Sequence, residues 1–210
     1  MRLLDVLREQ HELVDRLAGA LWTWATHRES GGVAAADAPA FARVLDEWLD
    51  RVHHRAEEEV LFRALVDRAE VPGDRGPLVV LRREHERVRA LGAVLTSPDG
   101  TTAAAAAREL ARLLWEHVDK ENSVLFPEAE QRLVRGGVHD LAPPEVGEQG
   151  RDAQRLADEL VDRYPPTEDP ETVRGDGCVA CSAFTVTCAG IEGEWWNPWE
   201  RIYQRSLDEG

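Results

Sequence analysis

The chain has 210 residues, 43% hydrophobic and 31% charged, which suits one soluble domain or one domain with an extension. Its 40 acids against 25 bases give a net charge of −15, a field that repels nucleic-acid phosphates and anionic membrane surfaces, so neither is an expected partner. No run of about eighteen apolar residues is present to span a bilayer, and the acidic, helical start MRLLDVLREQHELV matches neither a signal nor a transit peptide, so a cytoplasmic location is expected.

The first 137 residues read as four helices. The first runs from about Leu3 to His27, with Leu4, Leu7, Val14, Leu17 and Leu21 at amphipathic spacing. SGGVAAADAP interrupts it, and a second helix follows from about Pro39 to Glu70, with Leu45, Leu49, Val52, Val60, Leu61 and Leu65 inward. VPGDRGP separates a third, about Pro77 to Leu95, carrying Leu78, Leu81, Val88, Leu91 and Leu95. After TSPDGTT, with Thr101 or Thr102 as N-cap, a fourth helix runs to about Arg135 and stops at Gly136-Gly137. Short breakers between helices of this length predict an all-α, up-down-up-down four-helix bundle.

Residues 138–210 form an extension, with a helix over about 143–164 and then an irregular Cys- and Trp-rich tail packing on the bundle. Cys178, Cys181 and Cys188 are an odd count, unsuited to a disulfide scaffold. They read as small buried cysteines, with a redox pair at Cys178 and Cys181 as the sharper alternative. Trp195, Trp196 and Trp199 read as anchors of the tail, or else as a surface for a partner or substrate.

An internal repeat organises the bundle. L-R-x-x-H-E-x-V-x-x-L occurs at Leu7–Leu17 and at Leu81–Leu91, and H-x-x-x-E-x-x-V-L-F at His53–Phe62 and at His117–Phe126. The chain is therefore two hairpins of one pattern about a pseudo-twofold axis. His11, His53, Glu57, His85, His117 and Glu121 all fall on the apolar stripe of their own helices. A lone carboxylate buried there would cost several kcal/mol, on the order of a desolvated charge, so two carboxylates among four imidazoles need a shared positive partner. Residues four apart share a helical face, so each H-x-x-x-E aims one nitrogen and one oxygen at one point. Two such pairs bring two carboxylates to the axis, where each can bridge two metals, and the single histidines close the set. Nitrogen donors with carboxylates suit iron better than calcium, magnesium or structural zinc. His27 and His139 fall at helix ends or in a loop and read as solvated. His54 faces the Asp50 and Glu58 side but adjoins a ligand, which keeps it as an outside candidate.

These motifs resemble the hemerythrin-like (HHE cation-binding) family, over about the first 135 residues, with Pro127 following the second V-L-F. The resemblance implies a four-helix bundle around a non-haem di-iron centre that binds oxygen and, in some members, nitric oxide or peroxide. It implies His11 and His53 on one iron, His85 and His117 on the other, and Glu57 and Glu121 bridging; manganese and zinc are the alternative ions. Oxygen-carrying members use a fifth histidine one turn before the helix-three ligand, where this chain has Leu81. That leaves a more symmetric site with one more open position, for water, hydroxide or another ligand such as His54. The expected role is binding of oxygen, nitric oxide or peroxide in sensing, scavenging or redox response. The alternative is an oxygen-dependent di-iron oxidase or oxygenase acting on a small-molecule substrate. A tight apolar pocket walled by Leu81, Trp115 and Phe126 would favour gas binding, and a roomier cavity the enzyme. No G-x-S-x-G, P-loop or G-x-G-x-x-G supports a hydrolase or nucleotide site.

Overall fold

Proline, glycine and aspartate punctuation sets the helix ends. A computed structural model of the chain describes residues 1–29 and 33–167, which are helical with no strand among them. Helix α1 is Arg2–Glu29. Helix α2 spans 38–69, entered after a short turn of 3-10 helix, Val33–Asp37, with Pro39 in its first turn. It begins and ends α-helical, at Ala38–Val44 and Arg63–Ala69, but winds more widely, as π-helix, over Leu45–His54 and Glu57–Phe62. Glu70, at φ 55°, turns the chain out of it. Helix α3, Pro77–Val94, opens on Pro77 after a left-handed Gly76.

Helix α4 spans 100–135: Gly100–Lys120, a wide-turn stretch Glu121–Leu125, and Phe126–Arg135. Its N-cap is Asp99 and neither of the threonines expected: the Asp99 carboxylate accepts from the backbone N–H of Thr101 (3.3 Å) and Thr102 (3.2 Å). A short aspartate side chain reaches those free N–H groups from outside the helix, so the threonines join its first turn. Helix α5 is Glu148–Arg163, five residues shorter at its start than the 143–164 expected. Pro143-Pro144 cannot supply the early N–H groups, and the chain stays extended through Gly147.

Contacts between helices run in opposite residue order. On α1 and α2, Trp24 lies against Phe41 and Gln10 against His53. On α2 and α3, Asp50 meets Arg89 and Glu58 meets His85; on α3 and α4, Arg87 meets Glu109 and Glu84 meets His117. Helix α5 lies against α1 and α2, where Arg16 pairs with Asp158 and the Tyr164 hydroxyl donates to Asp37 at 2.6 Å. Gly150 makes that approach close, since a Cβ there would stand 2.7 Å from Val52.

The interior is two apolar layers. One holds Trp24, Phe41, Trp48, Leu110, Leu114 and the inner face of α5; the other holds Leu4, Leu7, Leu61, Phe62, Leu81 and Phe126. The buried polar residues of the bundle, His11, His53, His54, Glu57, His85, His117 and Glu121, are left between them. Cys178, Cys181, Cys188 and Trp195–Trp199 lie outside the described residues, and no described helix is long and apolar enough to cross a membrane.

Candidate metal centre

The repeated motifs are built around the histidines. Leu7 and Leu81, one turn before His11 and His85, fill the same apolar layer. The next residues, Arg8 and Arg82, lie over the rings of Phe126 and Phe62, each at 5.7 Å. Those two phenylalanines, the last residues of the two V-L-F motifs, lie parallel to His11 (5.2 Å between centroids) and to His85 (6.1 Å). The same three-part stack therefore recurs across the pseudo-twofold axis, and each stack fixes one imidazole plane.

All six predicted residues come together, none more than 1% exposed. His11, His53, Glu57 and Glu121 offer ligand atoms within 4.8 Å of one another, and so do Glu57, His85, His117 and Glu121. Both carboxylates belong to both groups. Glu57 turns Oε1 toward His53 (3.4 Å) and His11 (3.9 Å) and Oε2 toward His85 (3.4 Å). Glu121 Oε2 lies 3.2 Å from His11 Nε2 and 3.3 Å from His117 Nε2.

The outer nitrogen of each of the four imidazoles has a partner. His11 Nδ1–H donates to Asn122 and His53 Nδ1–H to Gln10, both at 2.9 Å. His85 Nδ1–H donates to Glu58 at 2.7 Å and His117 Nδ1–H to Glu84 at 2.9 Å; Lys120 also pairs with Glu84. A proton held at Nδ1 leaves the Nε2 lone pair facing the centre, as a metal-binding histidine requires. Sequence reasoning missed these four partners, although each stands beside a motif residue: Gln10 and Glu84 just before a histidine, Glu58 and Asn122 just after a glutamate.

The inner atoms tell the opposite story. Nε2 of His11 and His53 and all four oxygens of Glu57 and Glu121 are buried without a hydrogen-bond partner. Unsatisfied buried groups of this kind cost about 1–3 kcal/mol each, more for a charged group. The carboxylates draw positive charge to themselves. Burial is the largest single influence on His85 and lowers its pKa, yet Glu57 and Glu58 together outweigh it and leave the pKa raised to about 9. His11 is likewise raised, burial being outweighed by Glu121 and Glu57. His53, where burial prevails, is pushed down to about 3, and His117 is lowered for the same reason. Inward-facing nitrogens around unpaired carboxylates fit a metal cation, which would supply that charge and satisfy the inner atoms.

The family model of the hemerythrin HHE cation binding domain matches residues 2–129. The chain belongs to that family. No curated protein and no solved structure matches it significantly. The match spans α1 to α4 with all six histidines and glutamates, and ends before α5. Membership in the hemerythrin HHE family carries metal-cation binding, with iron the foremost metal, and the His/Glu clusters are present to do it.

One expectation is sharpened and one corrected. His54, expected on the Asp50 and Glu58 side, does have Nδ1 3.7 Å from Asp50, yet it is only 1% exposed, stacks on His85 at 3.8 Å between centroids, and stands edge-on to His117. A wider turn puts fewer degrees between neighbouring residues than an α-helix does, so in the Leu45–His54 stretch His53 and His54 both point inward. Trp115 does not wall the site; it is half-buried on the outer side of the other apolar layer, beside Trp22 (6.1 Å). Leu81 and Phe126 do lie in the layer beneath the histidines, while His27 and His139 are exposed as expected.

Proposed function

We propose that the bundle holds two iron ions, one on His11 and His53 and one on His85 and His117, with Glu57 and Glu121 bridging them. The observation that carries this reading is the sharing of the carboxylates: Glu57 and Glu121 belong to both four-residue groups, and Glu57 turns one oxygen toward each half. Two ions would satisfy the six inner atoms of His11, His53, Glu57 and Glu121 that are otherwise without a partner. A di-iron centre supplies reversible electron transfer to a small bound ligand, and oxygen, nitric oxide or peroxide are the ligands of that class.

The chain's own part is to orient and to exclude. Gln10, Asn122, Glu58 and Glu84 hold the imidazole tautomers. The apolar layers on either side keep water from the carboxylates and leave the centre sealed among leucines and phenylalanines. That tight enclosure supports a diatomic- or peroxide-sized ligand over an organic substrate, and hence sensing, scavenging or redox response over oxygenation. The test is optical spectroscopy of the anaerobically iron-loaded protein before and after oxygen, nitric oxide or peroxide. A new visible band that is reversed by removing the ligand is expected. A spectrum unmoved by all three would overturn the proposal.

A further inference from the structure

The two halves of the centre repeat in sequence, but the residues around them do not. Aligning the motifs sets Gln10 against Glu84, Glu58 against Asn122, and His54 against Val118. The His11–His53 half thus has an amide behind each imidazole, and the residue that matches His54 in the repeat is a buried valine, Val118, 4% exposed. The His85–His117 half has a carboxylate behind each imidazole and His54 beside it. His54 is the inner residue with no assigned purpose. Both of its ring nitrogens are buried without a hydrogen-bond partner. His54, His85 and His117 nevertheless offer nitrogens within 4.8 Å of one another, the spacing of groups that can share one ion.

We infer that His54 is a fifth histidine ligand, bound to the ion on His85 and His117, and that the open coordination position lies on the His11–His53 half, where the repeat has Val118 in place of a histidine. This rests on the dinuclear reading above. It replaces the symmetric site that Leu81 implied with a lopsided one. Three imidazoles and two bridging carboxylates surround one ion, while two imidazoles and the same carboxylates leave the other exposed to an added ligand. The carboxylate partners on the His54 half strengthen the inequality, because they make His85 and His117 better donors than amide-backed imidazoles.

The experiment is Mössbauer spectroscopy of the anaerobically iron-loaded full chain, with azide as the added ligand. The wild-type protein with two irons is expected to give two unequal doublets in equal amounts, only one of which shifts with azide. Val118→His, which offers the second half its own extra imidazole, should keep two irons and weaken azide binding at least about tenfold, by analogy with the loss or gain of other metal-site partners. His54→Val should bring the two doublets together and weaken one iron about ten- to hundredfold. Two irons in wild-type protein with a single doublet, or azide affinity unchanged in Val118→His, overturns the inference and leaves the dinuclear reading standing. Fewer than two irons in wild-type protein overturns both. Azide binding to Val118→His keeps the inference open to refutation even if His54→Val does not fold.

Discussion

Replacing Glu84 by alanine tests whether the imidazoles are held for a metal. Glu84 accepts the Nδ1–H of His117 at 2.9 Å and pairs with Lys120, while His117 is itself buried. A hydrogen bond to a charged group contributes about 1.5–3 kcal/mol. Losing it frees the His117 ring to rotate and lowers its basicity, so most of that energy should be lost from metal binding. At about 1.4 kcal/mol per tenfold, iron affinity should fall roughly ten- to hundredfold, the range usual for such outer partners. Glu84→Gln keeps a carbonyl acceptor, as Gln10 does for His53, and should lose less than about tenfold. Glu86→Ala removes an exposed carboxylate from the same helix and should change nothing. Anaerobic iron titration against a competing chelator reads the affinities, with circular dichroism to check the fold. Wild-type affinity in Glu84→Ala, or an equal loss in Glu86→Ala, would refute the reasoning.

Removing iron should lower the melting temperature. Metal at about a thousand times its dissociation constant stabilises by about 4 kcal/mol, or about 8–16 °C for a chain of this size, and calorimetry with and without chelator measures the difference. Gly136→Ala would place a Cβ 2.0 Å from the Arg68 carbonyl oxygen, forcing the ends of α2 and α4 apart. A cost of about 2 kcal/mol is expected from such overpacking, and an unchanged melting curve would mean those ends do not touch. Asp99→Ala should cost about 1 kcal/mol through the lost N-cap without altering iron content.

Periodicity made the helices and the inward side of each motif legible, because apolar stripes and breakers are local properties of the chain. The repeat made the pairing of His11 with His85 and of Glu57 with Glu121 legible for the same reason. His54 was legible as a neighbour of Asp50 but not as a core residue, because the faces were reckoned at α-helical spacing and the wide turns of α2 rotate it inward. The partners Gln10, Glu58, Glu84 and Asn122 were hidden differently. Each is a polar residue on the border of an apolar stripe, and only the neighbouring helix decides whether it meets solvent or an imidazole. Leu81 was read as a vacancy that His54 of another helix was one way to fill, and what no single-helix pattern can display is that His54 lies against His85 and His117.

Metal analysis of anaerobically loaded protein tests the central claim most directly. Two irons per chain are expected, falling sharply in His117→Ala and unchanged in His139→Ala, whose ring is exposed. Fewer than one iron per chain, or equal iron in all three proteins, would contradict the account.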